Sequence, residues 1–159
     1  MKLFVSVGTQ LPFERLLNAV DNVIGVLNIE KCVYQIAESD FNSKYGVVYK
    51  YLSPIEYKKE FDECDVFISH AGMGSIITAL DELKPIIIFP RLHSCGEHRN
   101  NHQLSTAEKF KNFDNVYYAE SEDEILGFLK SDDICNVEKI DSLKVDNMLL
   151  EFLEIIIND

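Results

Sequence analysis

Two runs in this chain, Asp65-Val66-Phe67-Ile68-Ser69 and Pro85-Ile86-Ile87-Ile88-Phe89, are apolar almost from end to end. A strand with one wet face alternates apolar and polar residues. A strand covered on both faces does not, so such runs belong inside a parallel sheet with helices on either side. Further strand candidates fall at 3–7, 32–37, 47–51 and 115–118. Helical patterns lie between them. After Pro12, which suits a first helical turn, Phe13, Leu16, Leu17, Val20, Val23, Ile24 and Leu27 share one face. Ser53-Pro54 opens a second helix over 54–63, and others are predicted near 75–83, 100–112, 121–130 and 142–157. Ser121 and Glu124 have the spacing of a capping box for the helix at 121–130. This alternation predicts an α/β fold with a doubly wound parallel sheet. At 159 residues the chain has room for one domain with a true core.

Ligands of such sheets sit beyond the carboxyl ends of the strands, so three loops matter. The first is Gly8-Thr9-Gln10, where a glycine and a hydroxyl either open room for a phosphate or form a tight turn with Thr9 as cap. The second is His70-Ala71-Gly72-Met73-Gly74-Ser75, a glycine-rich turn that feeds a helix. Bare N–H groups and about half a positive charge at a helix start favour an anion there. Small residues at such a turn also let a helix pack closely on the sheet. His70 is suited to bonding a ligand, to moving a proton, or to satisfying strand-end backbone. Ser75 is suited to donating to a phosphate or to capping its helix. The third loop, Arg91 to Gln103, is polar and holds three of the four histidines. Its amides and carboxylates suit a ligand rich in hydroxyls. His93, Cys95, His98 and His102 are the residues a metal would use, but their spacing matches no common zinc pattern.

Composition narrows the partners. The net charge of −12 argues against nucleic acid, which is bound through clustered Lys and Arg. Four separated cysteines without a CxxC read as reduced thiols of a cytoplasmic protein. No apolar run is long enough to span a bilayer, so any membrane link is expected to come through a partner. In the last helical pattern Val145, Met148, Leu149, Phe152, Leu153 and Ile156 form one stripe, with Leu150, Ile155 and Ile157 off it. That breadth suggests a partner-binding face on residues 131–159.

Taken in order, Val5-Ser6-Val7-Gly8-Thr9-Gln10-Leu11-Pro12-Phe13, Asp65 to Ile77 with its Ser69-His70-Ala71-Gly72-Met73-Gly74-Ser75, Lys84-Pro85, Pro90-Arg91 and Gly96 to Leu104 resemble the glycosyltransferase family 28 C-terminal domain. The likeness runs to about residue 130 and is strongest to short, stand-alone members of bacterial exopolysaccharide and capsule synthesis. The catalytic subunit of a two-component eukaryotic UDP-N-acetylglucosamine transferase is similar in layout. The resemblance implies a Rossmann-like, single donor-binding half of a GT-B fold. It implies transfer of a sugar from a UDP-sugar, with inversion, to a polyprenyl-diphosphate-linked saccharide. A separate membrane-anchored glycosyltransferase subunit would carry that lipid-linked acceptor and recruit this chain to the inner face of the membrane. No metal or other cofactor is implied, in keeping with the lack of an Asp-x-Asp motif.

Carried over residue by residue, Gly8 and Thr9 face the diphosphate, and His70, Gly72, Gly74 and Ser75 form its cradle. Glu97, His98, Asn101, His102 and Gln103 read the donor, with His102 and Gln103 nearest the sugar hydroxyls. Members of the family often hold the ribose with a glutamate where this chain has Thr78. The general base of the family tends to sit in the acceptor half, which leaves His70 as the internal candidate. Two other functions compete: a non-catalytic nucleotide-sugar-binding accessory subunit, and a sugar-nucleotide epimerase, which needs both halves in one chain.

Overall fold

The protein is described by a computed structural model covering residues 1–134 and Leu150. Six strands form one sheet: β1 (Lys2–Ser6), β2 (Lys31–Gln35), β3 (Val47–Tyr49), β4 (Val66–His70), β5 (Ile86–Phe89) and β6 (Val116–Tyr118). All neighbours run parallel, in the order β3-β2-β1-β4-β5-β6. Among the described residues four α-helices connect strands, α1 (Glu14–Val26), α2 (Pro54–Glu63), α3 (Met73–Asp81) and α4 (His102–Phe110), and α5 (Glu122–Lys130) follows β6.

The apolar runs are explained by two separate cores. On one face α1 and α5 bring Leu17, Val20, Ile125 and Leu129 onto Leu3, Val5, Ile68, Ile87 and Phe89. On the other, α2, α3 and α4 bring Phe61, Ile76, Leu80 and Phe110 onto Phe4, Phe67, Ile86 and Ile88. Successive apolar residues of β1, β4 and β5 therefore enter opposite cores, and those named here are all buried. This is the doubly wound α/β sheet expected from the alternation.

Local starts differ from the predicted ones by a residue or two. α1 begins at Glu14, after Pro12, because Phe13 takes a non-helical turn (φ −152°, ψ 62°) and donates its N–H to Ser39 Oγ at 2.8 Å. α3 begins at Met73, so Ser75 lies inside the first turn and Gly72 is the cap residue. Both Ser53 with Glu56 and Ser121 with Glu124 form full capping boxes. The apolar stripe at 142–157 and Cys135 lie outside the described residues.

The link from β2 to β3, residues 36–46, contains no helix. Asp21, buried on α1, substitutes for the missing element. It accepts from Tyr34 Oη at 3.2 Å, from Lys44 N at 3.1 Å, and from Ser43 Oγ. Gly46 is required beside it, since a Cβ there would lie 2.5 Å from the Tyr34 ring. Asp21→Ala strands these donors, and hydrogen bonds to a charged group contribute about 1.5–3 kcal/mol. Urea unfolding is therefore expected to show a loss of about 2–3 kcal/mol for Asp21→Ala, against under about 1 kcal/mol for the exposed Asn22→Ala.

Candidate functional site

The sheet order reverses between β1 and β4. Chain leaving β1 turns toward β2, chain leaving β4 turns toward β5, and a crevice opens between them. A cleft of about 620 Å³ occupies that place. It is walled by the ends of β1 and β4, the start of α3, the residues before and in α2, and the segment after β5. Among the described residues no aspartate or glutamate lines it, although the chain carries 27 of them. The one permanently charged side chain that lines it among those residues is Arg91.

His70 ends β4 and stands between two glycines. A Cβ on Gly8 would come within 2.9 Å of His70 Cε1, and a Cβ on Gly72 within 2.2 Å of Nε2. Gly8 also has φ +83°, which an L side chain tolerates poorly. These two glycines therefore make room for the imidazole. Their own amides are engaged: Gly8 N donates to Ser6 Oγ at 3.3 Å and Gly72 N to His70 O at 2.8 Å. Ser69 Oγ donates to Ser6 O at 2.7 Å and lies 3.2 Å from His70 Nδ1. With its hydrogen on Ser6, that hydroxyl accepts from Nδ1–H, which leaves Nε2 as the basic nitrogen. Burial and the nearby charge of Arg91 push the imidazole down to about 4. It is neutral at physiological pH.

The helix start is different. α3 has no side-chain cap, and no partner is found among the described residues for the amides of Met73, Gly74 and Ser75. Those three N–H groups and the helix dipole point at the cleft, which suits an anion. A Cβ on Gly74 would meet nothing within 4 Å, so the space beside it is open. Ser75 Oγ lies 3.1 Å from Ser69 Oγ. Thr78, one turn on, gives its hydroxyl to Gly74 O at 2.8 Å.

The segment after β5 divides into wall and support. Gln103 is buried, and its Oε1 accepts from Arg91 N at 3.0 Å, which leaves its NH₂ to donate into the cleft it lines. His98 also lines the cleft and contacts Asn100 Oδ1 through Nδ1 at 3.1 Å. Glu97 does not reach it. Its two oxygens hold Arg15 Nε and Nη2 at 2.8 and 2.9 Å, and it accepts from Leu92 N. Asn101 holds His93 N at 3.1 Å, and His102 is exposed at the start of α4. Among the described residues no three His, Cys, Asp or Glu side chains converge as a metal site would need, and His93, Cys95, His98 and His102 are apart in this respect.

Gly8, Thr9, His70, Gly72, Gly74, Ser75, His98 and Gln103 are thus brought to one cleft, while Glu97, Asn101 and His102 do not line it. Sequence reading missed Arg91, Gln35 and Tyr57, which also line it. Arg91 had a usable signal, a cation at the carboxyl end of a central strand. Gln35, which ties Ser6 Oγ at 3.3 Å to Leu52 N at 3.0 Å, had none, because β2 reads as an ordinary core strand.

Two results follow. A folded-state value near 4, below the unfolded 6.5, means the unfolded chain takes up a proton that the native chain refuses. Stability is then lost as pH falls from about 6.5 to about 4, by roughly 3 kcal/mol. His70→Asn should flatten that part of the pH–stability curve, and NMR should find the His70 ring neutral at pH 5. Gly72→Ala should displace the ring and lower the thermal midpoint, whereas Gly74→Ala, with open space around it, should leave the midpoint unchanged or higher.

Residues 2–130 match the glycosyltransferase family 28 C-terminal domain. The human UDP-N-acetylglucosamine transferase subunit ALG13 is 25% identical over 126 residues, which is 73% of this chain and 11% of that protein. This chain thus spans about a tenth of the length of that relative. The crystal structure of the glycosyltransferase of kitacinnamycin superposes with a TM-score of 0.62 at 18% identity, over 91% of this chain and 36% of that one. The shared fold is a Rossmann-like α/β half of a GT-B glycosyltransferase. The chain belongs to the glycosyltransferase family 28 C-terminal domain family.

Proposed function

We propose that this chain is the donor-binding subunit of a two-component, inverting glycosyltransferase and that its cleft holds the diphosphate of a UDP-sugar. The observation that carries the reading is a cleft that no carboxylate of the described residues lines, set against uncapped α3, in a chain of net charge −12. The amides of Met73, Gly74 and Ser75 take the diphosphate. The Ser75 hydroxyl and the Gly8-Thr9 loop flank it, and neutral His70, held by Gly8 and Gly72, forms its floor. Gln103 and His98 read the sugar hydroxyls, and Glu97 and Asn101 hold the segment that carries them. The diphosphate charge is met by these groups rather than by a metal.

Among the described residues no carboxylate lines the cleft, and an imidazole pushed down to about 4 is a weak base at neutral pH. We assign the general base, with the acceptor, to a second protein. No helix among the described residues is long and apolar enough to cross a membrane. We assign the membrane anchor and the polyprenyl-diphosphate-linked saccharide to that partner, which would recruit this chain to the cytoplasmic face. Likeness to the ALG13 subunit supports the two-component arrangement, and synthesis of an exopolysaccharide or capsule is the setting we propose for it.

Calorimetry tests the binding step. UDP should bind, uridine at least about tenfold more weakly, since charge-assisted bonds to the diphosphate are the stronger ones. Gly74→Leu should fold and lose that preference. Transfer from a UDP-sugar should require a membrane partner. Turnover by this chain alone would reject the two-component arrangement, and transfer unaffected by Gly74→Leu would make the chain an accessory subunit.

A further inference from the structure

Arg91 is among the largest fully buried side chains, 2% exposed. Its guanidinium donates to the carbonyls of Val7 and Leu11 at 2.8 Å each and to that of Pro12. All three acceptors lie in the stretch that joins β1 to α1. The guanidinium stacks 4.4 Å from the centre of the Phe13 ring, which limits its tilt. Its backbone N–H is tied to Gln103, so one residue connects the first loop of the cleft to the third.

Three carbonyls satisfy the donors of a guanidinium but do not cancel its charge. Glu97 and Glu14 attract it through space, yet neither forms an ion pair with it. Glu97 is engaged with Arg15, which also donates to Pro90 O at 2.6 Å and stacks 4.4 Å from the Phe89 ring. Among the described residues this buried cation has no counter-ion, an arrangement that is normally disfavoured. It borders a cleft that no carboxylate of those residues lines.

We propose that Arg91 is the positioning residue of the donor cleft: it holds residues 7–12 in the shape that keeps Gly8 against His70 and Thr9 at the cleft, and it keeps a positive charge unpaired for the diphosphate of the donor. The proposal rests on the UDP-sugar reading for its second half only. A fork that grips three carbonyls is specific to arginine, and a lysine ammonium keeps the charge without the grip.

The experiment compares the full chain with Arg91→Lys, Arg91→Met and Phe13→Leu. It measures amide hydrogen exchange at Gly8 and Phe13, whose N–H groups donate to Ser6 Oγ and Ser39 Oγ, together with UDP and uridine affinities. All three variants should exchange faster at these two amides, by about tenfold for Arg91→Lys, while core amides of β4 and β5 stay protected. Arg91→Lys should keep part of the preference for UDP over uridine, and Arg91→Met should lose it. A folded Arg91→Met with unchanged exchange and unchanged preference overturns the proposal. If Arg91→Met does not fold, unchanged exchange in both Arg91→Lys and Phe13→Leu overturns it instead. If the wild-type chain binds no UDP, the donor reading and the charge role fall together, while exchange still decides the positioning role.

Discussion

Dry faces on both sides of β1, β4 and β5 determine most of what this chain is able to do. With Phe4, Phe67, Ile86 and Ile88 in one core and Val5, Ile68, Ile87 and Phe89 in the other, polar chemistry is confined to strand ends. Parallel pairing gathers the carboxyl ends on one edge, and the reversal between β1 and β4 opens that edge into a cleft. The conformation of Gly8, the burial of His70 and the uncapped start of α3 are consequences of chain leaving two adjacent dry strands in opposite directions.

Electrostatics then selects the ligand class. Most of the 27 acidic residues are exposed, and among the described residues none lines the cleft. Inside it, a neutral imidazole, an amide donor, three backbone N–H groups without a partner among the described residues and one buried guanidinium all favour negative charge. None of them is a strong base at neutral pH. Such a site binds and orients an anionic donor better than it activates a nucleophile.

The fold was readable in the sequence because periodicity reports burial directly. The bare apolar run Ile86–Phe89 and the face Leu16, Leu17, Val20, Val23 each had one sensible reading. Helix starts were readable where a side chain does the capping, as at Ser53 and Ser121. They were missed by up to two residues at α1 and α3, where backbone geometry alone begins the helix. The three loops of the cleft were readable from their place at strand ends. The division of labour within them was not. Gly8 and Gly72 line the cleft but also make room for a histidine ring, and of the three cleft glycines only Gly74 faces open space. Glu97 looked like a ligand group but is paired with Arg15, 82 residues away in sequence. Contacts of that range have no local signature.

The central claim is that the start of α3 holds the donor diphosphate. It is tested most directly by following backbone amide resonances while UDP is added to the chain. The largest shifts should fall on Met73, Gly74 and Ser75, with smaller ones at Gly8 and Thr9, and uridine should leave Met73, Gly74 and Ser75 nearly unmoved. Saturable UDP binding that leaves these three amides unshifted would contradict it.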